Sequence, residues 1–188
     1  MVKTTLETER LILRTLSLED AEELYRFRTE NAEFFKPWSP LYHKDYFTPE
    51  YHKNNLVQIE SDILKGSLVQ FGVYTKTAPE KMIGSVVFSN IIMGPFKSCF
   101  LGYRIDKDEI NKGYAAEAIT AGCNYMFTQR KLHRIEANII PRNTASIRAI
   151  EKAGFVHEGI SKKYLNINGV WEDHLHYVLL NDELEVIN

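Results

Sequence analysis

The 188-residue chain is 44% apolar and 26% charged, enough apolar material for one sizeable core over residues 1–188 and too much for a disordered segment. Its 23 Lys and Arg against 25 Asp and Glu leave a net charge of −2, so no overall field draws it to nucleic acid or to an anionic membrane. Two cysteines, Cys99 and Cys123, lie far apart and in no metal-type spacing, and no apolar run approaches the ~18 residues of a membrane span. The polar stretch Met1 to Glu9 is unlike a secretory leader, so a reduced, cytoplasmic setting with buried thiols is the expectation.

Thr8 to Leu16 reads as a first strand. Ser17 with Asp20 three residues on is a capping pattern, opening a helix whose apolar side holds Leu18, Ala21, Leu24, Tyr25 and Phe27 or Arg28, with an end near Asn31. Glu33 to Pro49 is crowded with aromatics around Pro37-Trp38 and Pro40, which exclude a long helix. Such a loop is either a flap over a cleft or a wall of the core. Pro49 is placed for the first position of a second helix running to Gly66. Leu68 to Tyr74 and Met82 to Ile92 read as strands joined by a turn around Ala78 to Lys81, and Ser98 to Ile105 as the next strand after Gly94-Pro95.

Gly102 to Ala118 then reads as strand, polar loop and helix, the helix opening at Gly113. A glycine at such a junction lets backbone amides approach a ligand, and a helix start leaves about four N–H groups unpaired. Those donors and the helix dipole suit a phosphate or pyrophosphate, with Lys112 adding a full charge. A plain turn has the same local spelling. Basic residues follow at Arg130, Lys131, His133, Arg134, Arg142, Arg148 and Lys152, either as a solvated face or as part of a site for an acidic cofactor. His133 to Ile140 alternates as a strand ended by Pro141. Asn143 or Thr144 caps a short helix ended at Gly154, and Phe155 to Ile167 with Trp171 to Leu180 forms a hairpin turned by Asn168-Gly169.

Strand, phosphate loop, helix and strand, then Arg142-Asn143-Thr144-Ala145-Ser146 to Glu151-Lys152-Ala153-Gly154-Phe155, is a specific combination. With Glu9 to Arg14, Lys36-Pro37-Trp38, Phe88-Ser89-Asn90, Leu101-Gly102-Tyr103 and Tyr164 to Gly169 with Trp171, Asp173 and His174, it resembles the GNAT acetyltransferases over almost the whole chain. Within them it resembles the RimJ/RimL type, which acetylates the N-terminus of ribosomal proteins. The resemblance implies an α/β fold with one mixed, splayed, mostly antiparallel sheet of six to seven strands flanked by helices. It implies acetyl-CoA between the strand at Gly102–Ile105 and the strand at Arg134–Ile140. Cofactor contacts then fall on Tyr103, Arg104 and Ile105, on Ile110, Asn111, Lys112, Gly113, Tyr114 and Ala115, and on Asn143 and Ser146. Asn143 would hold the pantetheine and Ser146 would face the sulfur. Trp38, Tyr164 and Asp173 are the substrate-side candidates, and the acceptor is a protein N-terminus, met by a monomer or homodimer.

Two positions depart from the family pattern. Ile110 stands where Gln or Arg is common, which touches only an auxiliary contact. Phe100 stands where many relatives carry a glutamate base. An α-amine, with a pKa of about 7.7–8, is partly neutral at pH 7 and needs only a weak base, whereas a lysine amine near ~10.4 needs a strong one. Glu158, Asp173 and His174 on the late strands are candidates for that base. Ser146 is the candidate to protonate the thiolate, or else a first-turn serine bonded to its own helix; Asn143 is a cap, a cofactor contact or both. His174 and His176 share a strand face but lack a third ligand, so no metal is expected. Rival functions are acetylation of a small amine, such as an antibiotic, polyamine or amino acid, and a CoA-binding sensor without activity.

Overall fold

The computed structural model describes residues 4–184, so the outermost residues of the expected 1–188 domain lie outside the description. Eight strands form one sheet: β1 (Thr5–Glu7), β2 (Leu11–Thr15), β3 (Val69–Thr75), β4 (Ala78–Ile92), β5 (Ser98–Ile105), β6 (Arg134–Ile139), β7 (Val156–Ile167) and β8 (Val170–Leu180). The helices are α1 (Ala21–Glu30), α2 (Ala32–Phe35), α3 (Pro49–Leu64), α4 (Tyr114–Thr128) and α5 (Thr144–Lys152). The strand order is β1-β2-β3-β4-β5-β6-β8-β7. Every neighbouring pair is antiparallel except β5–β6, the one pair that needs a helical crossover, which α4 supplies.

The expected six to seven strands become eight because a short strand, β1, stands ahead of the expected Thr8–Leu16, whose strand is β2. Thr8 turns the chain, its hydroxyl accepting from the Leu11 amide at 2.9 Å, and β1 folds back along β2. The expected turn at Ala78–Lys81 also moves. The chain reverses at Lys76 and Thr77, and Pro79 lies within β4 at a register shift, where its missing N–H interrupts no ladder bond.

Ser17 and Asp20 form the expected capping box, and Thr48 with Pro49 opens α3. The two sheet faces have different covers. α4 and α5 close one over Phe71, Phe88, Ile119, Met126 and Ile135. α1 and α3 close the other over Leu24, Phe27, Leu56, Tyr74 and Met82. Gly122 on α4 lets that helix sit directly on the ring of Phe88. Cys99 and Cys123 are free and buried, and burial pushes the Cys99 thiol up to about 12.

Candidate active site

The parallel pair β5–β6 is short. Its ladder joins Ser98, Cys99 and Phe100 to Arg134, Ile135 and Glu136, and then stops. Beyond that point β5 stays bonded to β4 as far as Ile105, and β6 stays bonded to β8 as far as Ile139. Their facing edges therefore part, leaving main-chain donors and acceptors with no strand beside them. A cavity of about 1130 Å³ opens along this gap. An extended ligand can pair with such an edge as an added strand does.

At the end of β5 the chain enters the polar loop Asp106 to Gly113, which is tied at both ends. Asn31, at the end of α1, donates Nδ2–H to Asp106 at 3.1 Å and accepts the Lys107 amide at 2.8 Å. Arg10 donates to the Lys112 carbonyl at 2.9 Å. Asn111 (φ 61°) and Gly113 (φ 82°) both adopt left-handed backbone immediately before α4, so successive amides are gathered at the start of that helix. Arg148 and Lys152 of α5 line the same cavity, whereas Arg130 and Arg134 of the basic group bond elsewhere.

Asn143 caps α5, its Oδ1 accepting the Ser146 amide at 3.2 Å. That cap sets Ser146 in the first turn, opposite Tyr103 of β5. The Tyr103 phenol donates to the Ser146 carbonyl at 2.9 Å and lies 2.7 Å from Ser146 Oγ. Either hydroxyl can donate in the second contact, and when the phenol turns its proton to Oγ the serine proton is free to point into the cavity. Burial raises the Tyr103 phenol to about 12, against a smaller opposing effect of its bond to Ser146, so it stays protonated at neutral pH.

The cavity is lined by Tyr103, Arg104, Ile105, the whole run Ile110 to Ala115, Asn143, Ser146 and Trp38. Glu158, Tyr164 and Asp173 do not line it. Glu158 is exposed and paired with Arg134 at 2.6 Å. It is the extra residue of a bulge, since His157 pairs with Tyr177 and Gly159 with the adjacent His176, and its carboxylate serves that ion pair. Asp173 accepts from Lys162 Nζ at 2.8 Å and the Lys163 amide at 2.9 Å, holding a second irregularity of β7. Tyr164 stands behind the lining, touching Asn138, which donates to its hydroxyl at 3.3 Å, and the His174 ring at 5.5 Å.

Of the three base candidates, only His174 lines the cavity. Its Nδ1 lies 3.0 Å from the Glu172 carbonyl, which can only accept, so the proton sits on Nδ1 and Nε2 keeps its lone pair. Burial lowers its pKa, so the ring is neutral at pH 7. Phe100, in the place of a familiar glutamate, is paired across the ladder with Glu136, whose carboxylate is taken by His176 Nδ1 at 3.0 Å and Arg134 at 3.3 Å.

Asn138 and Arg28 are among the lining residues that the sequence reading passed over. Asn138 keeps Oδ1 buried and without a partner among the described residues. Arg28 sits four residues after the buried Leu24, on the apolar side of α1, and a cation on an apolar face was the available signal. The aromatic loop is both wall and flap. Phe34, Phe35, Trp38 and Tyr46 all line the cavity, Phe35 and Tyr46 as buried wall and Phe34 and Trp38 with more of their rings open. Among the described residues no group of three or more His, Cys, Asp or Glu is arranged to hold a metal ion, and no helix is long and apolar enough to cross a membrane.

The family model described as "Acetyltransferase (GNAT) domain" matches residues 10–156. The chain is 38% identical over 180 residues to the probable N-acetyltransferase YjcK of Bacillus subtilis, covering 96% of this chain and 99% of that one. It is 37% identical over 173 residues to the [ribosomal protein uS5]-alanine N-acetyltransferase of Escherichia coli, covering 92% and 89%. Among solved structures, the ribosomal-protein-S5-alanine acetyltransferase of Vibrio fischeri superposes with a TM-score of 0.90 at 36% identity, over 96% of this chain and 98% of that one. Mycobacterium smegmatis RimJ in complex with CoA-disulfide superposes with a TM-score of 0.87 at 26% identity, over 97% and 88%. With its splayed strands and glycine-headed loop, the chain belongs to the GNAT acetyltransferase family.

Proposed function

We propose that the chain transfers the acetyl group of acetyl-CoA to the N-terminal α-amine of a protein, a ribosomal protein being the first candidate, in the cytoplasm. The observation that carries this reading is the parting of β5 and β6 beside a loop headed by Gly113. Together they offer an unpaired edge for an extended amide-bearing arm and gathered amides for a diphosphate. Likeness to relatives named for uS5-alanine acetylation favours an N-terminal acceptor.

When bound, acetyl-CoA supplies a thioester, whose acetyl carbon forms a new bond to the amine nitrogen as its bond to sulfur breaks. The amine must lose one proton and the sulfur must gain one, so the chain has to bind the neutral amine and relay a single proton. Main-chain groups of Tyr103 and Ile105 hold the pantetheine arm, and the amides of Ile110 to Ala115 hold the diphosphate, with Arg148 and Lys152 balancing its charge. Asn143 presents Ser146, whose hydroxyl donates to the departing sulfur and is supported by Tyr103. A phenol near 12 is a poor source of a free proton to a thiol near ~8.5, so the pair acts by hydrogen bonding and relay. On the acceptor side Asn138 Oδ1 accepts an amine N–H, and neutral His174 receives the proton directly or through water. A weak base suffices because an α-amine titrates near ~8.

The test is acetyl-CoA turnover with peptides beginning in alanine or serine against a panel of small amines, followed by mass spectrometry of ribosomal proteins from cells with and without the chain. Peptide turnover and loss of one N-terminal acetyl group support the reading. Turnover of small amines alone, or CoA binding without turnover of any amine, overturns it.

A further inference from the structure

The cavity has a second charged region, on the sheet face opposite Tyr103 and Ser146. Along β5, Tyr103 packs against the core under α4 and α5, so Arg104, next in the strand, faces the other side. Its guanidinium lies over the Phe35 ring at 5.2 Å and donates to the Oγ of buried Ser39 at 3.0 Å. Arg28 reaches the same region from α1 and lines the cavity beside Tyr46. Neither arginine forms an ion pair among the described residues. The acidic side chains that line the cavity are already taken, Asp62 by Lys65 at 3.5 Å and Glu109 by Lys112 at 2.8 Å. Arg28 is driven down to about 10 by burial and by the charge of Arg104, the Tyr46 phenol pulling the other way. Two neighbouring cations held in a partly dry cleft without a counter-ion are costly to maintain. Around them, Gln70 Nε2 lines the cavity, buried and without a hydrogen-bond partner among the described residues, and the Tyr46 phenol, which can only accept from Arg28, keeps its own O–H to donate. The region therefore offers positive charge and spare donors, and the missing complement is an anionic acceptor of hydrogen bonds.

We propose that Arg28 and Arg104 form an anion-binding subsite in the acceptor half of the cleft, which takes a side-chain carboxylate on the second or third residue of the acceptor peptide. This rests on the N-terminal acetylation reading above. Arg28 and Arg104 line the same cleft as Asn138 and His174, where the amine is placed, so a peptide running out of that cleft brings a residue near its N-terminus to them. The diphosphate has its own cations in Arg148 and Lys152, so the arginine pair is not needed there. A guanidinium also matches a carboxylate with two parallel hydrogen bonds, which a lysine cannot do.

The experiment compares Ala-Gly-Glu and Ala-Gly-Gln peptides, and the free amino acids glutamate and glutamine, on the full chain. Turnover is measured with acetyl-CoA, and binding of the same peptides to the CoA-loaded protein by calorimetry. The acidic peptide is expected to bind and react at least about tenfold better, the scale of one charged hydrogen-bonded contact. Arg28→Gln should erase that preference while leaving the KM for acetyl-CoA unchanged, and Arg28→Lys should restore part of it. Equal affinity for both peptides, or a preference that survives Arg28→Gln, overturns the subsite. If only the free amino acids turn over, the N-terminal reading fails. The subsite is then judged by whether glutamate is preferred over glutamine and loses that preference in Arg28→Gln.

Discussion

Arg10 and Glu117, more than a hundred residues apart, are joined by a salt bridge of 2.6 Å, and the same guanidinium donates to the Lys112 carbonyl at 2.9 Å. Glu117 sits in the first turn of α4 and also accepts from the Thr8 hydroxyl at 2.6 Å. The turn between β1 and β2 thus holds both the last carbonyl before Gly113 and the helix that follows. Arg10→Ala is expected to raise the KM for acetyl-CoA several-fold with kcat nearly unchanged, because the tie orders a binding loop and touches no reacting atom. Burial works to raise the Glu117 carboxyl, but the hydrogen bonds from Thr8 and Arg10 outweigh it and hold it below the ordinary value. A depressed carboxyl contributes stability that is present above its unfolded value and lost as pH falls through the folded one. CoA affinity by calorimetry should therefore fall faster below about pH 4.5 in wild type than in Glu117→Gln, whose tie is already weakened. Identical KM values for wild type and Arg10→Ala would break this account.

Gly113 needs its missing side chain for backbone reasons more than for space. A Cβ there would meet only Arg10 Nη2 at 3.4 Å and Lys152 Nζ at 3.9 Å, ordinary contacts with the ends of flexible chains. Its φ of 82° is the obstacle, costing a non-glycine residue roughly 1–3 kcal/mol, most for a β-branched one. Gly113→Val should raise the KM for acetyl-CoA by roughly tenfold or more, with Gly113→Ala between it and wild type. Steady-state kinetics at varied acetyl-CoA decide the matter, and an unchanged KM removes the diphosphate from this loop.

Ser146→Ala should lower kcat by roughly 10–100-fold, within the range for a positioned proton donor, and leave the KM for acetyl-CoA close to wild type. Tyr103→Phe should cost less, because it removes the support at 2.7 Å and spares the hydroxyl proposed to face the sulfur. The phenol at about 12 predicts no Tyr103-dependent limb in the pH–rate profile between pH 6 and roughly pH 10. An acid limb should instead follow the neutral fraction of the amine and shift with the acceptor's own pKa. A limb that vanishes in Tyr103→Phe, or a Ser146→Ala variant at full rate, would contradict the relay.

What could be seen in the sequence was mostly local. Ser17 with Asp20, Pro49, Gly113, Asn143 and Asn168-Gly169 each mark a backbone event that one or two residues dictate, and each stands where it was expected. The lining of the half proposed for the cofactor was therefore legible, since it is built from a loop, a helix start and a cap. The acceptor half is built from pairings between distant strands, and there the reading slipped. One bulge at Glu158 decides which face β7 offers, and a shift by one residue moves every side chain to the other side. Arg28 becomes part of the site only because α1 lies beside the end of β5, a relation that its own helix does not spell out.

Gly122 yields a prediction about the scaffold rather than the chemistry. It lies on the buried face of α4, and a Cβ built there would come within 2.9 Å of the Phe88 ring and 3.4 Å of Val86. Phe88 is fully buried in the middle of β4, so the ring cannot swing aside without displacing its neighbours. In a helix interior, Gly→Ala alone would gain roughly 1 kcal/mol from propensity. Overpacking of a rigid core costs about 1–3 kcal/mol, and an ångström-scale clash with an aromatic ring belongs at the upper end. The second effect wins, so Gly122→Ala should be destabilising by about 1–2 kcal/mol, lowering Tm by roughly 2–8 °C for a chain of this size. Gly122→Ser, with the same Cβ and a weaker helix propensity, should be lower still. Thermal unfolding followed by circular dichroism tests the pair, and a Gly122→Ala variant more stable than wild type would mean that α4 does not rest on Phe88 as described.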